Sequence, residues 1–136
     1  MNITVKIPPQ RLADMMIGAV EHNHMTRSWC KGIYLLEPVK GDEYPEYDDG
    51  HGKSSIWYGD PKLYDSGFLI EVHEIDDEST GHITKHQVDA TKFAEGLAKM
   101  AAKSGGHFGD MLNENDDNIT QDVFLQYIVL GEVVYG

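Results

Sequence analysis

The chain has 136 residues, of which 40% are apolar and 25% charged, so it can form one domain with its own core and is too apolar to be disordered. Its formal net charge of −12 opposes direct binding to nucleic acid and to anionic lipid, which proteins contact through cations. No apolar run approaches the roughly 18 residues of a membrane span, no secretory signal is visible, and the single cysteine, Cys30, excludes an internal disulfide. We expect one α+β domain over residues 1–136, located in the cytoplasm.

The first two thirds of the chain predict four strands and one helix. Alternating apolar residues over 3–7 predict a half-buried strand, and apolar residues at helical spacing predict a helix over 9–22. A second strand is predicted over 29–37. The clearest alternation lies at 67–76, and the turn that follows lets residues 82–83 pair back as a short hairpin arm.

The next helix is expected to begin at Thr84, because Gln87 three residues later completes a capping box. Gly105 and Gly106 are expected to end that helix in the left-handed conformation that glycine tolerates. Residues 107–113 predict one or two further helical turns. These elements together predict an antiparallel sheet of about four strands with three or four helices on one face.

The last predicted helix is capped by Asn118 or Thr120 and continues to Leu130. It has almost no polar face, and a helix of that kind is buried either in the core or against a second subunit. A homodimer formed through this C-terminal helix is therefore one of two interpretations. Its apolar residues are Val123, Phe124, Tyr127, Ile128 and Leu130, with Val134 beyond its end.

Residues 37–66 form a long acidic segment that is rich in aromatic residues and lacks clear periodicity. Between Glu37 and Glu78 there are thirteen acidic and three basic residues, a net charge of −10. Aromatic side chains favour interfaces, and carboxylates around them would steer a basic partner. The alternative is that these aromatics fold back as a lid on the sheet. The candidate partner-binding residues are Tyr44, Tyr47, Asp48, Asp49, Trp57 and Tyr58.

Two loop motifs are incomplete. Residues 52–54 match the end of a phosphate-binding loop, but Tyr47 stands where the motif needs its first glycine. Asn113, Asn115 and Asp117 have the spacing of a calcium loop, but residues 118 and 124 are not the glycine and glutamate that such a loop requires. A turn and a helix-capping loop are the preferred interpretations.

The histidines and the cysteine do not predict a metal or cofactor site. His22, His24 and Cys30 supply three possible zinc ligands, with His51 or His73 as a fourth, but the first two lie where a helix is ending. Residues 82 and 86 have helical ligand spacing, yet the predicted helix starts between them. Cys30 with a histidine base is a candidate nucleophile, although a lone strand cysteine is usually a buried apolar residue.

Several short stretches together resemble a group of uncharacterised small proteins encoded by bacteriophages, prophages and plasmids. The resemblance implies a mobile-element protein made inside a bacterial cell, and no activity comes with it. It is weak across residues 37–66. The stretches that carry it are residues 3–5, residues 17–21 ahead of Trp29, and residues 98–101, 107–110, 114–117, 122–126 and 131–136.

Two functions are expected from these observations, and no motif declares an enzyme. The first is a non-enzymatic protein that binds and inhibits a basic host protein handling nucleic acid, of the anti-CRISPR or anti-restriction type, with carboxylates standing in for phosphates. The second is a small-ligand protein, either an enzyme or a scavenger of a host signalling nucleotide. Its pocket would be lined by Trp29, Trp57, Tyr58 and histidines.

Overall fold

A computed structural model describes residues 6–38 and 57–136. It shows an α+β fold with a three-stranded antiparallel sheet and five α-helices. In chain order the elements are α1 (Pro9–Val20), α2 (His24–Arg27), β1 (Cys30–Glu37), two 3-10 turns (Trp57–Gly59 and Pro61–Asp65), β2 (Leu69–Asp77), β3 (His82–Asp89), α3 (Ala90–Lys103), α4 (Gly105–Leu112) and α5 (Asn118–Leu130).

The sheet has the order β1-β2-β3, and its inner face forms part of the core. Side chains alternate along β2: Ile70 and Val72 are buried, whereas Glu71 and His73, on the other face, are only partly covered. Val72 lies opposite Ile33 of β1 and His86 of β3, which fixes the register of all three strands.

Helix α5 is the centre of the fold. Nine of its thirteen residues are buried, and it contacts the other four helices as well as β3. Its Phe124 meets Phe93 of α3 edge to face, with the ring centroids 5.9 Å apart. The predicted burial of this helix is confirmed, and the covering elements belong to the chain itself.

The boundary between β3 and α3 differs from the prediction. The capping box at Thr84 and Gln87 is wrong: both residues lie in β3, which extends to Asp89 and pairs with β2 along its length. The cap of α3 is Asp89, whose side chain accepts a hydrogen bond from the Lys92 N–H at 2.8 Å. Pairing with β2 satisfies the backbone groups of residues 82–89, which outweighs a local capping preference.

Three further expectations need correction. Gly105 and Gly106 do not end α3 but open α4. Asp117, rather than Asn118 or Thr120, caps α5. The sheet has three strands among the described residues, not about four; Lys6 and Ile7 are in no strand, and residues 3–5 lie outside the described ranges.

Two glycine-to-alanine substitutions should have opposite effects on stability. A Cβ at Gly96 would lie 2.5 Å from the Tyr127 carbonyl oxygen and 2.6 Å from the Ile128 Cα, both backbone atoms of α5. Gly96→Ala should therefore lower the free energy of unfolding by about 1–3 kcal/mol. A Cβ at Gly109 in α4 meets nothing within 4 Å, so Gly109→Ala should raise it by up to about 1 kcal/mol. Urea unfolding measures both, and equal effects would show that α3 and α5 are not in close contact.

Candidate functional site

The acidic run between residues 110 and 122 is partly neutralised by a base from another helix. Arg11 of α1 places its guanidinium 2.9 Å from Asp116, 3.5 Å from Glu114 and 3.7 Å from Asp14. The Asp116 side chain is only 8% exposed, so this pair is largely shielded from solvent. The run contains no base of its own, yet part of it holds α1 against the loop before α5.

Asp122, in the middle of α5, is a buried carboxylate with three donors. Its Oδ1 accepts hydrogen bonds from the Trp29 Nε1 at 2.8 Å and from the Thr26 Oγ1 at 2.9 Å. Its Oδ2 accepts one from the Gln126 Nε2 at 2.8 Å. A buried carboxylate satisfied in this way fixes the positions of the groups around it.

Gln126 connects this carboxylate to the C-terminal tail. Its side-chain oxygen accepts hydrogen bonds from the N–H groups of Val134 and Tyr135, each at 2.9 Å, and its amide donates to the Tyr135 carbonyl at 2.9 Å. The ring of Tyr135 then stacks on Trp29, with centroids 5.8 Å apart and planes within 6°. The tail is therefore held by both polar and aromatic contacts.

The network ends on the inner face of the sheet. The Tyr135 hydroxyl donates to Glu74, which raises the pKa of Tyr135 to about 12. Glu74 also lies 2.8 Å from the His86 Nε2. Asp122 and Glu74 thus have structural partners, and neither is a free charge at the surface.

A different group of carboxylates lies in residues 76–81, the end of β2 and the turn to β3, here called the hairpin tip. Asp76, Asp77 and Glu78 are consecutive and exposed. Hydrogen bonds from Thr84 and His82 lower the pKa of Asp76, and those from Ser79 lower the pKa of Asp77. Among the described residues, none of these three acids is paired with a lysine or arginine.

The predicted partner-binding residues fall into two groups. Tyr44, Tyr47, Asp48 and Asp49 lie outside the described residues. Trp57 and Tyr58 are in the core, with exposed fractions of 6% and 3%. The alternative expectation was that the aromatics fold back as a lid on the sheet; these two do fold back, but they pack on α1.

Trp29, Trp57 and Tyr58, which were expected to line an aromatic ligand pocket, are buried in the core instead. Trp29 has no exposed surface, and all three residues belong to the core cluster. Apolar side chains that fill a core leave little surface for a ligand.

The described residues bring together no group of three or more histidine, cysteine or acidic side chains that could hold a metal ion. His82 and His86 face Asp76 and Glu74 on the hairpin instead. Asp117, from the incomplete calcium motif, accepts the Thr120 N–H at 2.9 Å as a helix cap. Residues 52–54, the phosphate-loop fragment, lie outside the described ranges.

Cys30 is not set up as a nucleophile. Burial raises the pKa of its thiol to about 11; a backbone hydrogen bond with Gly32 opposes this shift, and the charge of Asp122 contributes to it. The thiol therefore stays protonated at neutral pH, whereas nucleophilic cysteines have depressed pKa values.

An apolar groove of about 650 Å³ lies between α1, α3 and α4. Its sides come from Ile7, Leu12 and Phe108, and alanines of α3 form part of its lining. Lys6 and Asp65 are its charged members. The volume is within the usual range of small-molecule pockets.

Sequence reasoning missed Arg11, Asp122 and Gln126. Asp122 and Gln126 carried a detectable signal, because polar residues in a helix without a polar face must have buried partners. No sequence signal indicated that Arg11 pairs with residues more than a hundred positions away.

No protein-family model, curated protein or solved structure matches this chain. No helix among the described residues is long and apolar enough to cross a membrane.

Replacing Asp122 by asparagine should destabilise the fold. The new amide would place a donor against the Gln126 amide, which is held in its orientation by the tail. Asp122→Asn should lower the free energy of unfolding by about 1–3 kcal/mol and change the Trp29 environment seen in near-UV circular dichroism. Asp110→Asn, an exposed matched control, should change neither. An unaltered Asp122→Asn protein would show that this network does not stabilise the fold.

Alkylation of Cys30 by iodoacetamide should have a pH midpoint near 11 in the folded protein and near 9.0 in urea. Because folding raises this pKa, the neutral thiol contributes stability below pH 9 that is lost as the pH rises through 11. The rate is measured by mass spectrometry. Equal midpoints in the two states would mean that the thiol is not desolvated.

Proposed function

We propose that this chain is a non-enzymatic binding protein whose hairpin tip docks on a basic host protein that handles nucleic acid. The single observation that carries the proposal is the set of three consecutive exposed carboxylates, Asp76, Asp77 and Glu78. The formal net charge of −12 also supports it, because that charge opposes direct binding to nucleic acid and to anionic lipid.

The chemistry of the hairpin tip suits such a partner. Asp76 and Asp77 are ionised at neutral pH, as aspartates ordinarily are, and their lowered pKa values extend the ionised range to lower pH. Side chains that are paired with neighbouring hydroxyls and backbone N–H groups keep their positions, so the charges form a defined pattern. An array of fixed negative charges resembles a run of phosphates to a cationic groove and increases the rate of association with it.

The test compares two triple variants that each remove three negative charges. Asp76→Asn, Asp77→Asn and Glu78→Gln together should weaken capture of the partner from bacterial lysate by about ten-fold or more, because the docking charges are lost. Glu95→Gln, Asp110→Asn and Glu132→Gln remove exposed charges elsewhere and should leave capture unchanged.

Two further readouts make the test specific to a nucleic-acid-handling partner. A short DNA duplex should displace the captured protein from the immobilised chain, and rising salt should weaken capture. Equal capture by both triple variants, or a captured protein that DNA does not displace, would contradict the proposal. Circular dichroism of each variant confirms that it is folded.

A second candidate function, a small-ligand protein, is favoured by the apolar groove between α1, α3 and α4. Ala98→Phe would fill this groove. If the groove serves the function, that variant should lose ligand binding and keep lysate capture, which is the opposite of the behaviour expected for the hairpin-tip variant.

A further inference from the structure

We propose that a second cavity, at the same end of the sheet as the hairpin tip, binds a small organic anion: a carboxylate or phosphate monoester with an apolar group attached. The cavity has a volume of about 440 Å³. This inference is independent of the proposed function, since it concerns a cationic site in an acidic protein. The lining residues are Arg27, Cys30, Lys31, Ile75, Gly81 and Ile83.

The charge of the lining points to an anion. Two of the six residues are cations and none is an acid, in a chain with twice as many acidic as basic residues. Among the described residues, neither Arg27 nor Lys31 forms an ion pair or a side-chain hydrogen bond. Both cations are therefore available to a ligand in this cavity.

The other walls favour an apolar part on the ligand. Ile75 and Ile83 are cross-strand neighbours and are only partly buried, so they present side-chain surface to the cavity. The Cys30 thiol, which is neutral because burial raises its pKa, does not oppose an anion beside it. A guanidinium and an ammonium give the charged group of the ligand a bidentate partner and a point charge.

The hairpin tip limits which anion can enter. Asp76, Asp77 and Glu78 lie in the chain between the two cavity residues Ile75 and Gly81. Their charges repel extended polyanions such as nucleic acid, whereas a small ligand with one or two charges can reach the two cations. Gly81 has a φ of +72° and open space at its Cβ position, so this side of the cavity carries no side chain.

The first experiment titrates the labelled full chain with phenyl phosphate, benzoate, inorganic phosphate and benzyl alcohol, monitored by two-dimensional amide NMR spectra. Phenyl phosphate and benzoate should cause saturable shifts at the amides of Arg27, Lys31 and Gly81. Inorganic phosphate should bind more weakly because it lacks the apolar part, and benzyl alcohol should cause no shifts because it lacks the charge.

Charge variants test whether the cations are responsible. Arg27→Gln with Lys31→Gln should raise the dissociation constant for phenyl phosphate about four- to twenty-five-fold, roughly two- to five-fold for each exposed cation. Lys99→Gln with Lys103→Gln, exposed positions on α3, should leave it unchanged. The absence of localised saturable shifts, or equal affinity in the two double variants, would overturn the inference. Equal affinity for inorganic phosphate and phenyl phosphate would show that the ligand needs no apolar group, which would overturn that part of the inference.

Cys30 gives an independent readout, because it is the only cysteine and lines the cavity. The ratio of the alkylation rates with iodoacetate and with neutral iodoacetamide reports the local potential. This ratio should fall about four-fold or more in the Arg27→Gln, Lys31→Gln variant and should fall with added salt in the parent chain. A ratio that neither change affects would contradict a cationic cavity.

Discussion

The fold depends on one constraint: helix α5 is buried on nearly every side, and three of its buried side chains, Thr120, Asp122 and Gln126, are polar. Asp122 and Gln126 cannot reach solvent, so each must find its hydrogen-bond partners inside the protein. Those partners come from distant parts of the chain, namely Trp29 and Thr26 near the start of β1 and Tyr135 in the tail. A polar pair inside an apolar helix thus determines where the β1 end and the C-terminus lie, which apolar packing alone would specify less uniquely.

The same constraint changes the meaning of the net charge. Part of the acidic character that sequence composition assigns to the surface is internal: Asp122 and Glu74 are buried and Asp116 is held by Arg11. Asp117 and Asp89 are committed to capping helices. The negative field available to a partner is therefore smaller and more localised than the count of acids implies. It includes the hairpin tip, where the carboxylates bond to neighbouring hydroxyl and backbone groups and stay exposed.

Sequence patterns predicted the elements whose signal is local. α1, β1, β2 and α5 lie close to their predicted positions: α1 and β2 have a clear apolar period, and α5 is a nearly continuous apolar stretch. The predicted boundary between β3 and α3 was wrong. Thr84 and Gln87 match a local capping pattern, but their pairing with β2 determines that they lie in a strand. The surface sites were harder still. Trp57 and Tyr58 are residue types that are common in interfaces, but here they are buried in the core. Residue type alone cannot distinguish an interface residue from a core residue.

One end of the sheet carries charges of both signs, and this arrangement follows from chain connectivity. The hairpin tip brings its acids to the end of the sheet where β1 begins, because β2 runs antiparallel to β1. Arg27 and Lys31 flank that beginning, so the cations and the acids become neighbours without being paired. Each set restricts what the other can bind: the acids exclude polyanions from the cavity, and the cations disfavour a basic partner that would cover it. Under both proposals, the basic partner would approach the tip from the side away from Arg27 and Lys31, and the cavity would stay open to small anions.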